Sequence, residues 1–311
     1  GESAFPEVMT THYGDGGLVG ALLKERTGIN FTFTGHSLGG QKMDRLGASK
    51  DNLKKLDNRY NFARRIVAER VAMNRAGRVI TSTNQERFNQ YGHRVYDNAI
   101  NPDKDAKFSV IPPGVNRKIF NEEKSGRDEK IGDRIKSALE RDFPAERRDL
   151  PLVICSSRLD RKKNHMGLVR AFASSDDLRE TANLAIVVRG ADNPLQKRDQ
   201  FQGEPKEILD EIAKTLDQAE LWDYVTSFPL ENQKELAAAY RWASERSSVF
   251  SLTALYEPFG LAPLEAMSCG LPAAVTNQGG PTESMRDEES GKEYGILVDP
   301  EDPEDIARGL L

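Results

Sequence analysis

The chain has 311 residues, with 49 Asp plus Glu against 44 Lys plus Arg and a net charge of −5 at neutral pH. That length accommodates two domains with separate cores, and a mildly acidic balance without a basic tract argues against nucleic acid or an anionic membrane surface as the main partner. No apolar run reaches the ~20 residues of a spanning helix, no signal peptide is visible, and Cys155 and Cys269 lie in the apolar contexts LVICSS and AMSCGLP, so reduced buried thiols and a cytoplasmic location are expected.

Strand and helix signals alternate along the chain, which predicts parallel α/β architecture. Residues 8–13 read as a strand, followed by the glycine-rich Gly14-Asp15-Gly16-Gly17 and an apolar helix. Strands are predicted at 29–34, 79–83 and 108–111, with one long charged helix over 53–73. Pro112-Pro113-Gly114 ends the fourth strand, and a charged helical excursion over 121–150 follows. The division is placed at 1–117 and 118–311. Beyond it, strands at 152–156, 184–188, 225–228, 249–252, 273–276 and 296–298, with helices including 205–219 and 232–243, predict a six-stranded Rossmann-like sheet. Ligands of such sheets bind at the carboxyl ends of the strands. Both ends look cut from a longer chain: residue 1 is Gly rather than Met, and the helix opening after Pro303 stops after about two turns.

The segment Ser251 to Met267, SLTALYEPFGLAPLEAM, reads as a strand end, a tight loop and a helix opening. Pro263 suits a first helical turn, and Gly260 lets backbone approach a ligand with helix N–H groups aimed outward. Glu257 and Glu265 flank this anion site with acidic acceptors, a combination suited to sugar hydroxyls beside a phosphate. In SSRLDRKKN, Arg158 and Lys163 fit a diphosphate clamp, the guanidinium binding two oxygens and the ammonium adding a point charge. Asn164 is a reasonable cap for the next helix. Asn277-Gln278-Gly279-Gly280-Pro281 is a second strand–glycine–helix turn that shapes the same pocket.

Gly35-His36-Ser37-Leu38-Gly39 matches the G-x-S-x-G nucleophile elbow. A triad in the order Ser, Asp or Glu, His would need His93 or His165, since only these histidines follow Ser37, and neither context suits the role. The competing reading makes His36 a ligand-facing imidazole at a strand end, able to bond a sugar hydroxyl and respond to transition-state charge. Lys42, Arg64 and Arg65 could hold a phosphate on a second substrate, although Arg65 can equally pair with Glu69 at i,i+4.

Arg158/Lys163 with Glu257-x7-Glu265, TGHSLG around His36, PPGV before the linker and the closing LVDP together resemble the retaining glycosyltransferases of family 4. Within that family THYGDGG, TGHSLGGQK, IPPGVN, SSRLDRKKNH and YEPFGLAPLEAM look most like the bacterial-type sucrose-phosphate synthase branch, across essentially the whole chain. The resemblance implies a GT-B fold of two Rossmann-like domains facing a cleft, and transfer of glucose from a nucleotide-sugar, UDP-glucose first, to fructose 6-phosphate. It implies that Arg158 and Lys163 neutralise the leaving diphosphate. Glu257 would hold hexose hydroxyls with the backbone of Phe259, Gly260 and Leu261, while Glu265 binds ribose. His36 would meet the donor sugar near the reacting carbon, and Ser37, Lys42, Arg65 and Arg64 would take the acceptor phosphate. No cofactor and no metal are expected, the two cations supplying the positive charge. The family's glycine-rich loop on its first strand and its returning C-terminal helix have no counterpart here, so weak nucleotide binding and little turnover are expected of this stretch by itself. Other donors or acceptors (GDP-mannose or free fructose, as in mannosylfructose-phosphate synthase or sucrose synthase) and a noncatalytic sugar-nucleotide-binding module are the alternatives.

Overall fold

A parallel sheet needs a crossover between successive strands, and the alternation of the sequence supplies one. In the computed structural model, which describes residues 6–287 and 289–311, the chain divides into two units, Gly1–Pro113 and Gly114–Leu311. The first unit runs β1 (Val8–His12), α1 (Tyr13–Thr27), β2 (Asn30–Thr34), α2 (Gly39–Arg45), α3 (Leu53–Tyr60), α4 (Phe62–Arg75), β3 (Arg78–Thr81) and β4 (Phe108–Val110). Its strands pair in parallel in the order β1-β2-β3-β4. Phe31 and Phe33, two apart on β2, enter one core with Val79, Phe108, and Ala72 and Met73 of α4, as the period-two alternation of a strand requires.

The glycines after β1 lie inside α1. Gly14, Gly17 and Gly20 form its buried stripe. A Cβ on Gly17 would fall 2.4 Å from the Cβ of Ala72, and one on Gly20 would fall 2.6 Å from Cγ2 of Thr11, so these positions let α1 seat against α4 and the sheet. The helix predicted over 53–73 is in fact two, α3 and α4. Asn61 between them takes the left-handed conformation (φ 53°), and the Ala63 N–H donates to Asp57 Oδ1 at 2.7 Å across the break. Asn is among the few residues that enter this region at low cost.

The second unit continues with α5 (Gly126–Asp142), β5 (Leu152–Ser156), α6 (His165–Ser174), α7 (Asp176–Thr181), β6 (Asn183–Val187), α8 (Glu204–Gln218), β7 (Val225–Phe228), α9 (Gln233–Ser244), β8 (Val249–Leu252), α10 (Leu261–Met267), β9 (Ala273–Thr276), α11 (Pro281–Ser284), β10 (Ile296–Val298) and α12 (Pro303–Leu310). The strand order β10-β9-β8-β5-β6-β7, all parallel, reverses direction between β5 and β8, the switch point at which doubly wound sheets bind ligands. β5 is buried on both faces: Leu152 and Ile154 pack with α5 and α9, Val153 and Cys155 with α6 and α8. That is why LVIC is a continuous apolar run rather than an alternating one. The contact boundary falls at 113/114 rather than at 117/118, because Val115, Ile119 and Phe120 pack into the core of the second unit.

Candidate functional site

In the second unit the site grows from the two strands that flank the switch point. After β5 the chain passes Arg158 and makes a short 3-10 turn over Arg161–Lys163, capped by Asp160, whose Oδ1 accepts from the Lys162 N–H at 2.9 Å. Asn164 then takes the left-handed conformation (φ 53°) and reverses the chain into α6, accepting from the Gly167 N–H at 3.1 Å. Its Nδ2 donates to the carbonyl of Thr253 at 3.0 Å and to that of Pro300 at 2.7 Å. Thr253 Oγ1 returns a bond to the Asn164 carbonyl at 3.2 Å, and the Leu255 N–H donates to the Lys162 carbonyl at 2.8 Å.

The loop after β5 is thereby laced to the loop after β8, and Lys163 Nζ meets Glu257 Oε2 at 2.6 Å with both side chains mostly shielded. Glu257 is fixed in turn by its backbone, whose N–H donates to the Gln278 carbonyl at 3.0 Å and whose carbonyl accepts from the Gly280 N–H at 2.9 Å. Gly279 (φ 105°) is required there, since a Cβ would stand 2.1 Å from the Glu257 carbonyl oxygen. Gly260 (φ 92°) leads into α10, with Pro263 in its first turn. Glu265, on α10, is half-buried, and that desolvation raises its carboxyl above the ordinary range. Arg158 is exposed and lines a cavity of about 640 Å³ at the ends of β5, β6 and β7, together with Ser156, Asp160, Arg189, Phe201 and Asn232. The structure therefore joins Lys163 directly to Glu257 and sets Arg158 on the neighbouring cavity wall.

In the first unit His36 and Ser37 lie in the loop after β2, Lys42 on α2, and Arg64 and Arg65 on α4. Gly35 N–H donates to Tyr91 Oη at 2.9 Å. His36 is exposed, adopts φ 57°, and sits with its Nε2 2.9 Å from His12 Nδ1. Arg65 donates through Nη2 to the Ser37 carbonyl and through Nε to Glu69 Oε1 at 2.9 Å, so the i,i+4 pair exists and the guanidinium also grips the loop. Lys42 Nζ lies 4.6 Å over the Tyr60 ring, and Arg64 is exposed on α4.

Sequence reasoning missed the residues that hold this loop up. Glu69 is fully buried and accepts from the Gly39 N–H at 3.1 Å and from Tyr96 Oη at 2.5 Å, while the Gly40 N–H donates to Tyr96 Oη at 3.0 Å. Burial and the adjacent carboxylate push the Tyr96 hydroxyl well above the ordinary tyrosine value, so it stays a donor. The spacing of Arg65 and Glu69 was the one signal in the sequence, and it reads as a surface pair.

No nucleophile elbow operates here. His93 spends Nε2 on Asp44 Oδ2 (3.0 Å) and Nδ1 on the Val95 N–H (3.2 Å). His165 is buried in the second unit against Ser157 Oγ (3.1 Å), and burial lowers it to about 4. His12 pairs with His36. Among the described residues no cluster of three or more His, Cys, Asp or Glu could hold a metal ion, and no helix is long and apolar enough to cross a membrane.

Lys163 and Glu257 thus form a cation–carboxylate pair at the switch point of a doubly wound sheet, close to the left-handed turn at Gly260. Residues 136–311 match the family described as glycosyl transferases group 1, and the chain belongs to that family. Residues 3–139 match the first GT-B domain of sucrose synthase. Within the family the chain is sucrose-phosphate-synthase-like. It is 38% identical over 297 residues to a probable sucrose-phosphate synthase of Thermosipho melanesiensis, covering 96% of this chain and 60% of that protein. The solved sucrose-phosphate synthase of Thermosynechococcus elongatus matches with a TM-score of 0.66 and 26% identity over 97% of this chain and 63% of its own. Anabaena HepE, solved with UDP-glucose, shares the fold at a TM-score of 0.63 and 18% identity, over 97% and 67% of the two chains.

Proposed function

We propose that the protein is a retaining hexosyltransferase that moves glucose from UDP-glucose to fructose 6-phosphate, giving sucrose 6-phosphate. The observation that carries the reading is the Lys163–Glu257 pair at the switch point, in a chain of this family whose relatives include sucrose-phosphate synthases. Lys163 and Arg158 neutralise the diphosphate as it departs, and electrostatic stabilisation of developing charge is the largest contribution such a site makes. Glu257 releases part of its hold on Lys163 to accept hexose hydroxyls, with the N–H groups around Phe259, Gly260 and Leu261 beside it, and Glu265 takes the ribose. His36 bonds the donor sugar near its reacting carbon, while Ser37, Lys42, Arg65 and Arg64 take the acceptor phosphate.

Retention follows if the acceptor hydroxyl attacks on the face that the diphosphate leaves: the anomeric carbon–oxygen bond to phosphate breaks, the bond to the acceptor oxygen forms, and its proton passes to a phosphate oxygen. This scheme uses electrostatic stabilisation of an oxocarbenium-like state rather than a protein nucleophile. The test is release of nucleoside diphosphate by the full-length protein with UDP-, ADP- and GDP-sugars, with and without fructose 6-phosphate. Release that needs UDP-glucose and the phosphorylated acceptor together is the expected result. Equal release with free fructose would remove the phosphate roles of Lys42 and Arg65, and none with any pair would overturn the proposal.

A further inference from the structure

Parallel pairing of β1 and β2 sets His12 opposite Thr34, and two residues later the chain turns at His36. The turn returns the His36 imidazole onto His12: Nδ1 of His12 and Nε2 of His36 are 2.9 Å apart, with ring centroids separated by 5.0 Å and an interplanar angle of 21°. The Tyr13 ring packs on the same imidazole at 4.8 Å. Two non-glycine residues of this contact, Tyr13 (φ 61°) and His36 (φ 57°), are left-handed, a conformation that such residues keep only where their surroundings impose it, and which concentrates at functional sites.

We infer that His12 is a positioning residue, holding the His36 imidazole through the shared hydrogen bond and fixing which ring nitrogen of His36 carries the proton. The inference rests on the proposed role of His36 toward the donor sugar. A hydrogen bond between imidazoles needs one N–H and one bare nitrogen, so the bonded pair holds at most one positive charge. Burial first, and the charge of His12 second, lower the pKa of His36. Other titratable or charged groups against the loop are Tyr13 of α1, Arg65 and Glu69 of α4, and Tyr91 and Tyr96; Arg65 bonds the Ser37 carbonyl, and Glu69, Tyr91 and Tyr96 accept from the N–H groups of Gly39, Gly35 and Gly40. A second proton on the pair would leave two N–H groups facing each other and break the bond.

The experiment compares the full-length wild type with His12→Asn and His12→Ala, following imidazole ring resonances against pH and assigning His36 by its loss in His36→Asn. Asn carries a neutral hydrogen-bonding group close to where Nδ1 stood, whereas Ala removes both bond and charge. In the wild type His36 is expected to show a depressed step. In both His12 variants it should titrate in a single step at higher pH than in the wild type, because the like charge of His12 is gone while the burial remains. With UDP-glucose and fructose 6-phosphate, kcat of His12→Ala should fall at least about tenfold with donor KM nearly unchanged, and His12→Asn should restore most of it. An ordinary single-step titration of His36 in the wild type, or the same titration in all three proteins, overturns the inference, as does equal loss of kcat in the Asn and Ala variants. Absence of turnover in the wild type would count against the proposed function alone, because the ring titration decides the role of His12 without substrate.

Discussion

Replacing Lys163 by Met keeps the length of the side chain and removes its charge. The lysine lies 2.6 Å from Glu257, with side-chain exposures of 22% and 14%, between the surface pairs worth ~0–1 kcal/mol and the buried pairs whose breakage costs ~3–5 kcal/mol. A loss of about 2 kcal/mol is therefore expected, which in a unit of roughly 200 residues lowers the melting temperature by about 4–8 °C. Glu257→Gln should do the same. In the double variant no charge remains unpaired, so the two losses should not add, and the cycle should return a coupling of about 2 kcal/mol. Turnover should behave differently. Under the proposed roles each single change removes a group that acts on the donor, costing on the order of 10²–10³ in kcat, and pairing two neutral residues cannot restore it. Thermal unfolding followed by circular dichroism, beside nucleoside diphosphate release, separates the two effects. A coupling below about 0.3 kcal/mol, or recovery of turnover in the double variant, would refute the reasoning.

Glu69→Gln should cost about 2–4 kcal/mol in urea unfolding, since it disturbs a buried acceptor serving Gly39, Tyr96 and Arg65 at once; a change under about 0.5 kcal/mol would mean that the loop is held by other contacts. Burial raises the Asp128 carboxyl, but bonds from Arg241 (2.6 and 2.9 Å) and Ser125 outweigh it and hold the group at about 2 against 3.8. Its stabilisation is therefore present above about pH 4 and lost as pH falls toward 2. Asp128→Asn should cost about 1–2 kcal/mol at pH 6, allowing for solvent screening, and under about 0.5 kcal/mol at pH 2, which urea midpoints across that range would show. Gly279→Ala places a Cβ 2.1 Å from the Glu257 carbonyl at φ 105°, so it should displace the Glu257 loop and depress diphosphate release more strongly than Gly291→Ala, where φ is 70° but no atom lies within 4 Å. Similar effects of the two would show strain, rather than the close approach, to be what matters.

Where the period of the pattern carried the information, the fold was legible in the sequence. The apolar runs of β5 to β9 and the motif positions at strand ends were readable because a short, unbroken apolar run between charged helical stretches is what a parallel strand buried on both faces requires. The break at Asn61 was not, because charged helical residues run on both sides of it and one left-handed Asn leaves no mark on hydrophobicity. The glycines of α1 carried a turn signal and proved to be packing positions, a distinction made by the partner helix and invisible in the stretch itself. At the candidate site, residue type beside a glycine turn was the signal that singled out Arg158, Lys163, Glu257 and Glu265. The bond between Lys163 and Glu257, 94 residues apart, and the support from Glu69 and Tyr96 depend on strand order, which pairwise spacing does not encode.

Asn164 has a consequence for how the second unit is made. Its side-chain amide ties residues 89 and 136 positions downstream, so the turn that presents Lys163 is completed only when the segment around Pro300 has arrived. Contacts of such long sequence separation form late, after the chain entropy of closing large loops has been overcome. During synthesis β5 to β7 can pair while the Lys163 turn remains open, and the turn is completed only with β10, the last strand of the sheet in chain order. A chain stalled or cleaved before residue 300 would therefore keep much of its core and lack an assembled site.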